Sequence, residues 1–166
     1  ILVSPAFLYR LETVDDQTSV VPTPPLELAT RLSFFLWASI PDPILVDLAL
    51  SGALAEQETL RAQVERLLRH PKSKRFATEF FGQWLGFYQF DRYQGVDTDR
   101  FPDFDDSLKS DMYDEAKSFI ESIVRENRPI GELIFADYGY LTPRLATHYG
   151  ISSEREGLQR VDQLNA

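Results

Sequence analysis

The chain has no cysteine among its 166 residues. That excludes disulfides, thiolate zinc sites, a cysteine nucleophile and the Cys-x-x-Cys-His attachment of a c-type haem within this sequence. Histidine is scarce too, with only His70 and His148. Basic residues are outnumbered: 17 Lys plus Arg face 26 Asp plus Glu, a formal charge of −9. A pI near 4.7 argues against a nucleic-acid partner, because phosphate contacts need clustered Lys and Arg. Long hydrophobic runs are missing. The longest stretch without a charge, Phe80 to Phe90, has 11 residues, against the roughly 20 that a membrane-spanning helix needs. There is no Gly-x-Ser-x-Gly, no phosphate-cradling glycine loop and no His-Glu-x-x-His. The catalytic residues, if any, are therefore unassigned.

What is present is enough for a core. Hydrophobic residues make up 43% and aromatics 13%, too much for a disordered chain and suited to one ordinary domain. A small polar residue precedes proline at Ser4-Pro5, Thr23-Pro24, Asp42-Pro43 and Thr142-Pro143. A side-chain oxygen at such a position caps a backbone N–H, and proline at the first helical position loses no needed donor. The spacing of apolar residues then predicts a short helix from Pro5 carrying Phe7, Leu8 and Leu11. It predicts further helices over about 24–40, 43–51, 56–69, 72–90, 104–127 and 143–149. Gly52 and Gly150 read as helix C-terminal residues, and Pro41, Pro71 and Pro129 as stops. Residues 13–23 and 91–103 read as loops, 130–136 as a short segment, and 134–141 as room for a short extended piece.

The predicted fold is all-α, a single-domain helical bundle of six to eight helices, with Leu32, Phe35, Leu36, Trp37, Phe80, Trp84 and Phe119 in one core. Gly82 and Gly86, four apart on an aromatic helix, predict a close crossing by another helix. The domain is expected over residues 1–161, with 162–166 beginning a linker. Ile1-Leu2-Val3, with neither Met nor a basic leader before it, is expected to continue from a longer protein.

Few constellations point to chemistry. Asp97, Asp99, Asp103, Asp105 and Asp106 supply hard oxygen ligands, but Phe101, Pro102 and Leu108 occupy the positions where an EF-hand needs a ligand, a glycine and a glutamate. Solvation and helix capping explain those acids instead, and no metal is expected. His70, beside Pro71, and His148, in a last helical turn, read as structural. Lys72, Lys74 and Arg75 form a basic run at a helix start, read as a solvated corner. Asp137, Tyr138 and His148 remain as the candidate site residues, because this is the one local cluster of mixed titratable types.

Several stretches taken in order resemble a known domain. They are Leu2-Val-Ser-Pro-Ala-Phe-Leu-Tyr-Arg10, Glu27-Leu-Ala-Thr-Arg-Leu-Ser-Phe-Phe-Leu-Trp37 with Pro41-Asp42, Phe81-Gly-Gln-Trp-Leu85, Ala136-Asp-Tyr138, Arg144-Leu-Ala146 and His148-Tyr-Gly150. Together they resemble a domain of unknown function found in large planctomycete-type proteins that commonly also carry a c-type cytochrome domain. Thr142-Pro143 stands where that domain has an Asn-Glu pair, and Gly139 where it has Thr. The resemblance implies an extracytoplasmic protein, with haem c on another segment and no cofactor in this one. It implies a non-catalytic scaffold or docking role toward neighbouring domains of the same chain, supporting electron transfer. The alternative is a substrate-binding or catalytic domain acting on an extracellular polymer such as a polysaccharide, with Trp37, Trp84 or tyrosines as stacking platforms.

Overall fold

The computed structural model describes residues 22–97, 99–151, 156–162 and 164. The helix expected from Pro5, with its Ser4 cap, lies outside them. Two of the remaining proline-marked starts form as expected. Asp42 Oδ1 accepts the Leu45 N–H at 3.0 Å and opens α2 (Pro43–Leu50). At the other, Thr142 Oγ1 accepts the Leu145 N–H at 3.1 Å and opens α7 (Pro143–His148). At Thr23-Pro24 the expectation fails. Helix α1 (Pro25–Trp37) starts one residue later, with Pro24 at the cap position and no side-chain cap. Pro25 holds the first helical position and keeps Pro24 extended, so Thr23 stands one residue too early.

Helix α3 (Gln57–Arg69) ends where His70 turns extended before Pro71, as a residue preceding proline should. After a 3-10 turn, helix α4 begins as Lys74–Phe76, widens into a π-helical stretch at Ala77–Phe81 and ends as Gly82–Leu85. It stops five residues short of the predicted Phe90 because Gly86 takes a left-handed φ of 80°, a conformation glycine adopts at little cost. The chain then folds back, and the Tyr88 N–H donates to the Gly82 carbonyl at 2.9 Å. A Cβ on Gly82 would touch Tyr88 Cα at 3.4 Å. Gly82 therefore makes room for its own chain's return, and the crossing helix expected there is not what it serves.

Helix α5 (Asp106–Arg125) is capped by Asp105, whose Oδ1 accepts from Leu108 N at 2.9 Å. Helix α6 (Glu132–Phe135) leads into β1 (Tyr138–Leu141), which pairs antiparallel with β2 (Gln159–Asp162). The register sets Tyr138 opposite Asp162 and Tyr140 opposite Arg160. The Leu164 N–H adds a bond to the Asp137 carbonyl at 2.7 Å. Strand β1 falls in the stretch with room for an extended piece; β2, with Val161 as its one apolar residue, carries no strand signal. The chain is thus a largely helical single domain, with seven helices and one small two-stranded sheet among the described residues.

The buried residues form three groups. Ala29, Leu36 and Trp37 of α1 meet Leu45, Ala49, Leu54 and Leu67 in the first. Leu108 meets Leu141, Leu145 and Ala146 in the second, and Ala77, Phe81 and Ile120 form the third. Phe76 packs against both the first and the third. The predicted single core needs correction. Leu36 and Trp37 are buried, and Leu32 and Phe119 lie partly buried in different groups. Phe35, Phe80 and Trp84 are 52%, 40% and 61% exposed. Helix α1 is apolar around more of its circumference than one core can cover. In α4, the π stretch inserts a residue into the helical count, so Ala77, Phe81 and Gly82 turn inward while Phe80 and Trp84 turn out.

Trp37 is the most heavily engaged side chain of the first group. Its Nε1 donates to the Leu67 carbonyl at 2.9 Å. The His70 ring lies 4.6 Å away, with Lys72 Nζ at 4.9 Å and Arg66 Cζ at 5.8 Å from the indole. Arg66 in turn holds Asp42 through two bonds of 2.6 and 3.0 Å, tying the end of α3 to the start of α2. Those bonds hold the Asp42 carboxyl below its ordinary range. Replacing Trp37 by Ala is expected to lower the unfolding free energy by about 3–5 kcal/mol. The same change at exposed Trp84 should cost less than about 1 kcal/mol. Urea unfolding of the two variants, followed by circular dichroism, checks the contrast.

Candidate functional site

The titratable groups gather on two sides of the small sheet. On one side Tyr138, buried on β1, donates its hydroxyl to Glu132 Oε2 at 2.6 Å. Its ring carries Arg160 Cζ at 3.9 Å and Arg128 Cζ at 5.0 Å, with the Phe119 ring at 5.3 Å. Arg128 bonds Glu126 at 2.7 Å and Glu132 at 3.3 Å, and Arg160 bonds Asp162 at 2.8 Å. Burial, then the Glu132 bond, pushes the Tyr138 phenol up. The Tyr138 hydroxyl and the Arg128 guanidinium hold the Glu132 carboxyl below its ordinary range. Each charge here has an opposite partner and each donor an acceptor, which suits a clasp between α6 and the sheet better than proton transfer.

On the other side Glu115 of α5 is half-buried, and Oε2 accepts the Tyr149 hydroxyl at 2.8 Å. Burial pushes the Glu115 carboxyl up, and burial with the Glu115 bond pushes the Tyr149 phenol up. Glu115 leans over Gly139: a Cβ there would meet Glu115 Oε1 at 3.3 Å and Leu164 Cδ1 at 3.0 Å. The space a threonine side chain would use is thus already filled in this chain. Nearby, Thr142 Oγ1 donates to Asp111 Oδ2 at 2.7 Å while capping α7. Arg144 pairs with Asp105 at 2.6 Å.

Of the sequence-predicted candidates, only Tyr138 enters one of these clusters. Asp137 is exposed and offers its backbone carbonyl to Leu164. His148 is exposed at the end of α7, its ring 5.6 Å from Tyr149. Among the described residues, no hydrogen bond or ring contact joins these three to one another. Glu115, Glu132, Arg128 and Tyr149 were missed. For Glu115 a signal existed, since it continues the inward stripe of Leu108, Met112 and Phe119 at helical spacing. For Glu132 and Arg128 none did, because a turn of chain separates them from Tyr138.

Several other polar residues are similarly engaged. His70 Nδ1 accepts from Lys72 N at 3.1 Å. Asp97 Oδ1 accepts from the backbone of Asp99 and Arg100 at 3.1 and 3.2 Å, and Asp106 pairs with Lys109 at 2.8 Å. Lys109 is buried and also donates to the Tyr93 carbonyl at 2.8 Å, pinning the loop before α5. The basic run diverges: Lys72 lies over Trp37, Lys74 reaches Glu121 at 3.6 Å and Arg75 reaches the Ala38 carbonyl at 3.3 Å. A polar cleft of about 480 Å³ beside Tyr140 sets Arg69 and Arg125 against Glu121 and Glu126. Among the described residues, no group of three or more His, Asp or Glu could hold a metal ion.

The largest contrast is a groove of about 490 Å³ on the opposite kind of surface. Trp84, Leu85 and Phe87 line one wall, Ala116, Phe119 and Ile120 of α5 the floor, and Ile130, Gly131, Leu133 and Ile134 the other wall. None of these residues titrates. Ile134 is 79% exposed, and Phe135 beside it 82%.

The two carboxylates predict opposite pH effects. Glu132 ionises more readily in the fold than in the unfolded chain. Its bonds therefore stabilise at neutral pH, and that gain is lost as pH falls through the carboxylate range. Glu115 ionises less readily in the fold, so its charge costs stability as pH rises above the ordinary carboxylate range. Glu132→Gln is expected to lower the unfolding midpoint more at about pH 7 than at about pH 3. Glu115→Gln is expected to raise it, or leave it unchanged, at about pH 7 and to do nothing at about pH 3. Thermal melts of both variants at the two pH values check this.

No curated protein and no solved structure matches the chain. A family model does, across residues 24–151, and it is the one described as PSD4, a protein of unknown function (DUF1592). Since that match runs from the start of α1 to the residue after Gly150, taking in the apolar groove, the Glu115–Tyr149 pair and all of the Tyr138 cluster except Arg160 and Asp162, the chain belongs to the PSD4 (DUF1592) family.

Proposed function

We propose that this domain is a non-catalytic docking module of a larger extracytoplasmic, cytochrome-associated protein, and that a neighbouring domain of the same chain seats in the apolar groove between Trp84 and Ile134. One observation carries the reading. The groove is apolar throughout, and no side chain lining it can move a proton or carry a charge. The titratable clusters are meanwhile closed on their own partners. A groove of that chemistry recognises apolar side chains. Contacts between domains of one chain bury about 600–1,500 Å², and an exposed apolar patch marks such a contact. Among the described residues no helix is long and apolar enough to cross a membrane. The extracytoplasmic setting, and haem c on another segment with electron transfer as the whole protein's task, rest on the family resemblance.

The polymer-binding reading draws on Trp84, whose exposed ring is a fit stacking surface. Trp37 gives it nothing, being buried, and the groove holding Trp84 supplies no carboxylate for glycoside cleavage. The experiment titrates the domain with separately expressed flanking domains of its parent protein, beside an activity screen on polysaccharides and small redox substrates. Association that Ile134→Asp weakens at least tenfold, with an unchanged melting temperature and no turnover, is the expected result. Clear turnover without association reverses the reading.

A further inference from the structure

The polar cleft beside Tyr140 continues into a second recess, where α5 runs past the start of α4. The two recesses measure about 480 and 340 Å³, and Ser118, Glu121 and Leu158 line both. Arg69 and Arg125 line the first; Lys74, Arg75 and Lys117 line the second. Among the described residues, five cations thus face three carboxylates, those of Asp114, Glu121 and Glu126. Such a local excess of positive charge runs against a chain whose formal charge is −9.

The carboxylates do not balance these cations. Glu126 is held at 2.7 Å by Arg128, which lines neither recess. Asp114 pairs with Lys117 at 2.5 Å. Glu121 is shared, its Oε1 lying 3.0 Å from Arg125 and 3.6 Å from Lys74. Arg69 reaches Glu65 at 3.6 Å, an exposed pair on one helix face, and such pairs yield readily to a better partner. Arg75 meets the Ala38 carbonyl, which has no charge to match its own. Guanidinium forks fit the paired oxygens of a carboxylate or phosphate, and lysine adds a point charge. The walls of a cleft focus the field of such a cluster, and recesses of about 300–1,000 Å³ suit small ligands. We propose that this cleft binds a small polyanion, a molecule with two or more carboxylate or phosphate groups. Arg69 and Arg125 take one group, with the Ser118 and Tyr140 hydroxyls as further donors. Lys74 and Arg75 take the next. This site is independent of the occupant of the Trp84 groove.

Citrate and pyrophosphate are the probes, with acetate and inorganic phosphate as their single-group counterparts. Each is titrated into the full chain by isothermal calorimetry, in low-salt buffer near neutral pH, where charge pairing is least screened. One-to-one binding of citrate or pyrophosphate, at least about tenfold tighter than its counterpart, is expected. The tighter of the two names the group, carboxylate or phosphate. If neither binds, or neither binds tighter than its counterpart, the proposal is overturned. Arg125→Gln and Lys74→Gln, one from each recess, should each weaken binding at least about fivefold with an unchanged melting temperature. Exposed Arg100→Gln removes the same charge but lines neither recess, and should leave binding as it was. An equal loss in all three variants reduces the effect to net charge and overturns the site. Glu121→Gln frees Arg125 and Lys74 from their shared carboxylate, so it should tighten binding at least about threefold, whereas exposed Glu58→Gln should not. Absence of that tightening overturns the proposal as well.

Discussion

The indole N–H of Trp37 sits where water does not reach, and it donates to the Leu67 carbonyl in the last turn of α3. A buried donor left without a partner costs about 1–3 kcal/mol, so the surrounding structure has to bring that carbonyl to it. Several local features converge on this requirement. Pro71 ends α3 and leaves its last carbonyls free of helical partners. Ala38 adopts a left-handed turn that stops α1 at Trp37, and the buried Ser33 hydroxyl donates to the Ser39 carbonyl to close that end. Arg66, one residue before Leu67, binds the same Asp42 carboxylate that caps α2. The ends of three helices are thereby fixed around one ring.

Much of this was legible because it is local. Caps at Asp42, Asp105 and Thr142, the break at Pro71 and the glycine terminator at Gly52 each follow from side chains acting within a turn of their own backbone. Features that depend on distant partners were not. Nothing near Tyr138 announces Glu132 and Arg160, which reach it from another helix and another strand. Strand β2 exists because β1 offers it a ladder, not because Gln159-Arg-Val-Asp162 favours extension. The outward turn of Phe80 and Trp84 was hidden for a third reason: apolar spacing assumes 3.6 residues per turn, and the π stretch breaks that assumption within the element being read.

Three modest buried groups, the first and third joined through Phe76, leave more apolar surface uncovered than one central core would. Edge-on and stacked rings continue that surface, running from Phe35 through Phe76 and Phe80 to Phe81 and Trp84 with neighbouring centroids 5.0 to 5.7 Å apart where the rings step between adjacent members. The domain thus carries its aromatic residues as a connection between exposed Phe35 of α1 and the apolar groove. The charged clusters lie around the sheet, clasping α6 to β1 and the end of the chain around α7 to α5 and its cap. Exposed apolar surface and polar fastening are kept on separate parts of the molecule.

The π stretch also bears on how this surface tolerates a change in chain length. A π turn accommodates one residue more than an α-helical turn, so loss of one residue between Ala77 and Phe81 would return α4 to a regular helix and leave Trp84 and Leu85 on nearly the same side of it. The wall they form would outlast a single three-nucleotide deletion in this stretch, whereas the same deletion in a regular helix turns everything after it by about 100°.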